Sequence, residues 1–231
     1  MDYSDDTIAS VATIERARAH AAACPRCDLA RTRRRVVFGA GDPHARLMIV
    51  GEAPAEHDEV TGLPFSGPTG GLLEQWLAAI GLTRDQVWLT NTVRCRPTTA
   101  TAGGGGGLAP ARSGQTANRP PRVGELRACA AWLGLEERLV AAEVIVTLGA
   151  TAGKALLGKT FTLAGARGAW QQRPATLDSF AAGTHPAPVL PTYHPAYILR
   201  LEGDDALRAQ ALVDADLQRV RTFLDAPPSL F

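Results

Sequence analysis

The stretch RLMIVGEAPAEHDEVTGLPFSG, residues 46–67, joins a short apolar run to a segment rich in acidic residues and glycine. The apolar part, 46–50, is followed at once by Gly51, which is typical of a short buried strand. Three similar apolar runs lie further along the chain, at 86–90, 143–149 and 187–195. Such runs alternating with helical patterns predict a parallel sheet with helices on both faces.

Helical patterns occupy most of the chain between and around these runs. Apolar residues recur at helical spacing in 70–82, 122–141 and 205–224, and the alanine-rich segment 7–23 reads as one helix ending near Cys24. The fold class that follows is α/β, a three-layer α/β/α sandwich with a central, mainly parallel four-stranded sheet.

Length and composition favour a single domain over residues 1–231. The chain is 45% hydrophobic and 20% charged, which suits a globular protein with a sizeable core. Within it, 1–35 is expected to hold the N-terminal helix and the first cysteine pair. Residues 99–117, with five consecutive glycines, are expected to form a flexible insertion.

No apolar run approaches the roughly 18 residues of a membrane span, and the acidic N-terminus lacks a signal pattern. We therefore expect a cytoplasmic monomer with no membrane association. The net charge of +1 decides nothing about nucleic acid. Of 24 basic residues only Lys154 and Lys159 are lysine, which either favours phosphate contacts by arginine or reflects GC-rich coding.

Ligands of parallel α/β sheets bind beyond the carboxyl ends of the strands. This rule predicts that four segments share one rim: 51–67, 91–95, 149–151 and 194–200. Glu52 follows the first strand directly, so its carboxylate should face the cleft. The acidic segment thus occupies the place where this fold class builds its sites.

Each candidate side chain on this rim also has an ordinary structural interpretation. Phe65 could stack on a flat ring or simply pack in the core. Asn91 could read a base edge, because its amide both donates and accepts, or could cap a turn. His194 precedes a proline, which restricts its backbone, but a lone histidine is often structural.

The four cysteines, Cys24, Cys27, Cys95 and Cys129, comprise one CxxC pair and two distant residues. Disulfides are improbable in a chain expected to be cytoplasmic. A four-thiolate metal or cluster site and unligated buried thiols both remain open, and scattered ligands suit a [4Fe–4S] cluster better than zinc.

Taken together, these segments resemble the uracil-DNA glycosylase superfamily, most closely its iron–sulfur-containing family 4. The resemblance runs in order over about residues 24–200. It is carried by GEAPAEHDEVTGLPFSG (51–67), NTVRCRP (91–97), NRPPRVGELRAC (118–129) and HPAYILR (194–200).

The resemblance implies a DNA repair enzyme that flips uracil out of DNA and hydrolyses its N-glycosidic bond. Glu52 would orient or deprotonate water near the sugar, and His194 would donate a hydrogen bond to the base. Phe65 would stack on uracil and Asn91 would bind its amide edge.

The same resemblance implies further roles. Gly51 and Ala53 would line the uracil pocket. Tyr197, Ile198 and Leu199 would be candidate wedges in the minor groove, and Arg200 would contact phosphate. A [4Fe–4S] cluster on Cys24, Cys27, Cys95 and Cys129 would have a structural role, and the partner would be uracil-containing DNA.

Three departures from the family pattern affect these expectations. Ala55 replaces the glycine of GEAPG, as in family 5, which makes a different substrate breadth conceivable. The family's Glu-Asp pair is reversed as Asp58-Glu59, leaving either as a possible second acid. The 99–117 insertion has Arg112 as its only charged residue and no histidine, which disfavours covalent trapping of DNA through that loop.

Three alternatives stay open from sequence. The protein could bind or trap uracil-DNA with little turnover, although the presence of both Glu52 and His194 argues against this. It could be a glycosylase with broader deaminated-base specificity. It could also be a small-nucleotide hydrolase of similar architecture.

Overall fold

The computed structural model describes residues 2–99, 116–173 and 187–226. Its centre is a five-stranded sheet in the order β1-β3-β2-β4-β5, in which β2 to β5 are parallel and β1 is antiparallel to β3. The strands are β1 Ala40–Gly41, β2 Leu47–Gly51, β3 Trp88–Asn91, β4 Val144–Leu148 and β5 Val189–Thr192.

The four parallel strands confirm the predicted sheet, but the strand count of four was wrong by one. The extra strand, β1, has two residues, too few for a hydrophobic period to reveal it. Gly41 in this strand has φ of 121°, and a Cβ there would lie 1.8 Å from the carbonyl oxygen of Val87. Only glycine therefore permits this edge pairing.

Ten α-helices surround the sheet in the described ranges. They are α1 Asp5–Ala9, α2 Ile14–Ala21, α3 Leu29–Thr32, α4 Glu56–Thr61, α5 Pro68–Ala79, α6 Val123–Val140, α7 Gly149–Leu157, α8 Leu163–Ala166, α9 Pro195–Ile198 and α10 Gly203–Asp225. The single helix predicted over 7–23 is two helices, because the Thr13 hydroxyl accepts a hydrogen bond from the Arg16 N–H and starts α2 anew.

Two hydrophobic cores lie on opposite faces of the sheet. Met48 and Val50 of β2 face a core built with α1, α2 and α6. Leu47 and Ile49, the alternate residues, face a core built with α5 and α10. This alternation along one strand confirms the three-layer sandwich.

The acidic segment after β2 contains a helix, α4, where the sequence showed no clear period. Asp58 is buried and begins the helix by accepting from the backbone N–H of Ala55 at 3.0 Å. The second carboxylate oxygen of Asp58 accepts from the Ser66 N–H at 2.7 Å. Glu59, also buried, accepts from the Arg34 N–H at 2.8 Å. Both acids therefore hold the segment in shape.

Most of the predicted glycine-rich insertion, residues 100–115, lies outside the described residues. Its two flanks pair with each other: Thr98 and Asn118 form an antiparallel bridge, and the Thr99 N–H donates to Ala117 O at 2.9 Å. Among the described residues, no helix is both long and apolar enough to cross a membrane.

A buried ion pair joins the sheet to α6. Arg94 Nε donates to Glu136 Oε1 at 3.0 Å, and both side chains are at most 2% exposed. The other carboxylate oxygen accepts from Trp88 Nε1 at 3.1 Å, and Oε1 also accepts from the Gly39 N–H at 3.2 Å. Arg94 also donates through Nη1 to the carbonyl of Asn91. The Glu136 carboxylate of α6 thus joins β3, the loop after β3 and the residues before β1.

We expect Glu136→Gln to lower the free energy of unfolding by about 3 kcal/mol or more, because it leaves the Arg94 guanidinium buried without a counter-charge. The matched control is Glu143→Gln, which breaks the half-exposed pair with Arg46 and should cost about 1 kcal/mol or less. Urea unfolding of both variants measures the difference, and equal losses would contradict a special role for the buried pair.

Candidate active site

The carboxyl ends of the parallel strands bring the predicted rim residues together. Gly51, the last residue of β2, is paired in register with Asn91, the last residue of β3. Glu52 follows β2 directly, Thr151 lies in the first turn of α7 after β4, and His194 follows β5 as the N-cap of α9.

Gly51, Phe65 and Asn91 meet in a tight cluster, called here the pocket wall. A Cβ added at Gly51 would lie 2.5 Å from Asn91 Oδ1 and 2.5 Å from Phe65 Cζ. Asn91 is 2% exposed and Phe65 is 3% exposed. Glycine at position 51 therefore allows an amide and an aromatic ring to share one site.

Phe65 has a left-handed backbone, with φ of 54°. Such a conformation is unfavourable for a bulky residue, and strained residues of this kind cluster at functional sites. Arg84 stabilises the turn by donating to Pro64 O at 2.8 Å and Phe65 O at 3.3 Å. Gly70 leaves room for it, because a Cβ there would lie 1.8 Å from Phe65 O. The ring is thereby held 6.2 Å, centroid to centroid, from the ring of His194.

Two threonines orient Glu52. The hydroxyl of Thr151 donates to the Glu52 carboxylate, and the hydroxyl of Thr92 donates to the Glu52 carbonyl at 2.5 Å. The Thr92 N–H also donates to Gly51 O at 2.9 Å. Sequence reasoning placed Thr92 and Thr151 on the rim but gave neither a role, because a lone threonine carries no chemical signal.

His194 is held with one nitrogen toward its own backbone. Nδ1 accepts from the Ala196 N–H at 3.0 Å, so the neutral ring carries its proton on Nε2. Burial, and then the charge of Arg200, lowers the pKa of His194 from 6.5 to about 4. His194 is therefore a neutral hydrogen-bond donor at neutral pH.

The predicted DNA contacts on and after α9 have different environments. Tyr197 and Leu199 are 39% and 52% exposed, and Arg200 is exposed. Ile198 is only 7% exposed and packs into the core with α5 and α10. Its side chain is thus an internal anchor of the segment, and the exposed surface comes from its neighbours. Ala53, the other predicted pocket residue, is half-buried against the α6 core.

The four cysteines line one pocket between the N-terminal segment, the loop after β3, and α6. None of the four forms a disulfide. Burial raises the pKa of Cys27, and it raises that of Cys95 to about 11 and that of Cys129 to about 12. No group of three or more potential ligands in the described ranges is arranged for one metal ion.

Nitrogen donors surround the sulfur atoms of this pocket. Trp132 Nε1 donates to Cys24 Sγ at 3.4 Å, and the Arg94 N–H donates to Cys129 Sγ at 3.3 Å. Arg33 Nη1 donates to Cys95 Sγ at 3.6 Å. Hydrogen bonds to sulfur are a feature of iron–sulfur sites, and four cysteines around one pocket supply the four thiolates that a [4Fe–4S] cluster needs. The residues present fit a cluster.

Comparison with known proteins identifies the family. The profile of the uracil DNA glycosylase superfamily matches residues 38–218. The chain belongs to this superfamily. The matched range contains the pocket wall, Glu52 and His194, and begins after the CxxC pair.

Individual relatives within the superfamily agree with this assignment. A Type-4 uracil-DNA glycosylase of Thermotoga maritima is 32% identical over 202 residues, covering 87% of this chain and 89% of that protein. A Type-4 uracil-DNA glycosylase of Sulfurisphaera tokodaii is 32% identical over 195 residues, covering 81% and 76%. A Type-5 uracil-DNA glycosylase of Thermus thermophilus is 34% identical over 138 residues, covering 53% and 54%.

We expect NMR titration of His194 to show a pKa near 4, and Arg200→Ala to raise it, because that change removes a nearby positive charge. Since the unfolded chain protonates this histidine near 6.5, its contribution to the unfolding free energy should increase as pH rises from about 4 to 6.5. A titration near 6.5 in both proteins would contradict the burial of this ring.

Proposed function

We propose that this protein is a monofunctional uracil-DNA glycosylase, which flips uracil out of DNA and hydrolyses its N-glycosidic bond to leave an abasic site. The observation that carries the proposal is the meeting of Asn91 and Phe65 over Gly51, beside Glu52 and His194. The Type-4 names of the relatives agree with it.

Base recognition requires replacement of the contacts that a flipped base loses. The Phe65 ring offers a stacking face, and its unusual backbone holds that face beside Asn91. The Asn91 amide can donate to a uracil carbonyl and accept from the ring N–H at the same time. Because Asn91 is buried, a base that cannot complete these hydrogen bonds leaves a polar group unpaired.

Departure of uracil places negative charge on the base. His194, neutral and with its proton on Nε2, donates a hydrogen bond to the developing oxyanion. A neutral donor suits this role because it stabilises the anion without first needing a proton from solvent. The bond from the Ala196 N–H to Nδ1 selects that tautomer.

The sugar becomes positively charged as the base leaves. Glu52 supplies a carboxylate beside it, which stabilises this charge and orients or deprotonates the attacking water. The Thr151 hydroxyl fixes the direction of this carboxylate by donating to one of its oxygens. Thr151 is thus a positioning residue.

The segment Tyr197–Arg200 contacts DNA around the flipped nucleotide. Tyr197 and Leu199 offer exposed apolar surface for insertion between base steps, and Arg200 offers a phosphate contact. Ile198 anchors this segment in the core behind them.

Cys24, Cys27, Cys95 and Cys129 hold a [4Fe–4S] cluster in this proposal. Such a cluster supplies a structural crosslink when bound. It ties the N-terminal segment to α6 and to the loop that follows Asn91, since Cys95 lies only four residues beyond that amide.

The presence of both Glu52 and His194 favours turnover over trapping of the DNA. Incubation with a uracil-containing oligonucleotide and then alkali should break the strand with multiple turnovers. Glu52→Gln and His194→Ala should each lower the single-turnover rate by about 10² to 10⁴-fold. Glu56→Gln, a change at an exposed acid of the same segment, should leave it unaltered. A persistent protein–DNA adduct, or activity on free nucleotides only, would overturn the proposal.

Anaerobically purified protein should contain about four iron and four sulfide per chain, with the broad visible absorbance of an iron–sulfur centre. Cys129→Ser and Cys24→Ser should each reduce the iron content and lower the melting temperature, because the crosslink is lost. A colourless, zinc-loaded protein of normal stability would refute the cluster.

A further inference from the structure

A second cationic feature lies on the same rim, outside the residues given a role above. It is a cavity of about 330 Å³, called here the arginine groove, whose lining includes Arg18, Arg34, Arg35, Phe38, Gly62 and Leu63. None of its lining residues is acidic. Three guanidinium groups around one cavity without a carboxylate indicate an anion site.

The arginine groove lies at the carboxyl end of the sheet. Because β1 runs antiparallel to β3, with Ala40 opposite Leu89, the residues before β1 lie beyond the end of β3. The Val37 N–H donates to Arg94 O at 2.7 Å, which fixes this placement. The groove therefore opens on the edge of the sheet that also carries Asn91.

The groove also adjoins the uracil pocket. Leu63 lines the groove and is 48% exposed, while Phe65, two residues on, forms the pocket wall. Two residues span at most about 7 Å, and one strand of DNA rises about 3.4 Å per nucleotide. The groove thus begins within about two nucleotides of the flipped base.

Two of the three guanidinium groups are preorganised, and all three arginines are exposed. Arg18 Nη2 donates to Gly39 O at 3.0 Å, and Arg35 Nη1 donates to Thr61 O at 3.0 Å, so each is anchored by one backbone carbonyl. Arg34 is exposed, and its side chain has no hydrogen-bond or ion-pair partner in the described part of the chain. The nearby Glu59 carboxylate accepts from the Arg34 N–H and lies 3.8 Å from Arg96, and it does not line the groove.

We propose that Arg18, Arg34 and Arg35 bind the phosphodiester backbone of the DNA strand on the β1 side of the flipped nucleotide. The proposal rests on the proposed glycosylase function and extends it with a path for the DNA. Arg200 lies after β5 at the opposite edge of the sheet, and the uracil pocket lies between the two cationic positions. Five strands at a spacing of about 4.8 Å span about 19 Å, the length of five to six nucleotides.

The test compares DNA binding of the native protein with that of the Arg34→Ala/Arg35→Ala double variant. Fluorescence anisotropy with an abasic-site duplex, the reaction product, gives the Kd over a series of salt concentrations. Since each phosphate contact contributes about 0.9 to the slope of log K against log salt, the slope should fall in magnitude by about two. The Kd at low salt should rise about tenfold or more.

Two matched variants control for folding and for net charge. Arg34→Lys/Arg35→Lys should recover most of the slope, because an ammonium group still neutralises phosphate. Arg219→Ala removes one charge from an exposed position in the later half of α10. The end of α10 contacts Arg46, which precedes β2, so it lies at the amino end of this strand and not at the rim. This variant should leave both Kd and slope unaltered. Equal melting temperatures of all variants would establish that the fold is intact.

Truncated duplexes locate the contact. Trimming the duplex on the side of the abasic site that reaches the arginine groove should abolish the difference in Kd between the native protein and the double variant. Trimming the other side should preserve that difference. An unaltered salt slope in the double variant, or the same loss in Arg219→Ala, would overturn the proposal. So would binding of inorganic phosphate or dUMP that depends on Arg34 and Arg35 while DNA binding does not.

The binding and cleavage measurements separate this proposal from the proposed function. Absence of uracil release by the native protein together with the expected change in slope would refute the glycosylase activity and leave the DNA path standing. Uracil release with an unaltered slope would refute the path alone.

Discussion

The buried ion pair between Arg94 and Glu136 is the constraint on which the site depends. A buried ion pair is stable only in good geometry with additional hydrogen bonds, so the groups that bond to Arg94 and Glu136 must keep their positions. Those groups include the carbonyl of Asn91, the indole of Trp88 and the N–H of Gly39. The end of β3 that carries Asn91, the edge of the sheet and α6 are thus set relative to one another by one electrostatic requirement.

Arg94 also links the rim of the sheet to the cysteine pocket. The Arg94 side chain supports Asn91, and its backbone N–H donates to the sulfur of Cys129. In the proposed function, the cluster therefore stabilises the base pocket indirectly, by holding the loop after β3 from its far side. A structural role of this kind would account for a redox-capable group in a reaction that transfers no electrons.

Much of the fold could be predicted from local patterns. Four strands and the long helices α5, α6 and α10 have strong hydrophobic periods, and the rim follows from the rule for parallel sheets. The motif residues Glu52, Phe65, Asn91 and His194 accordingly lie at one rim. Shorter elements could not be predicted: β1 is set by pairing with β3, and α4 is set by Asp58 contacts on both sides of the helix.

The sequence by itself determined the α/β class, the rim and the types of side chain on it, because these depend on periodicity and chain order. Only the tertiary structure decided which side chains meet. The bond from Thr151 to Glu52 joins residues 99 positions apart, and the left-handed Phe65 is held by Arg84 and by the space at Gly70. The buried position of Ile198 and the location of Arg34 and Arg35 at the rim have the same cause. Packing between distant segments overrides what neighbouring residues in the sequence indicate.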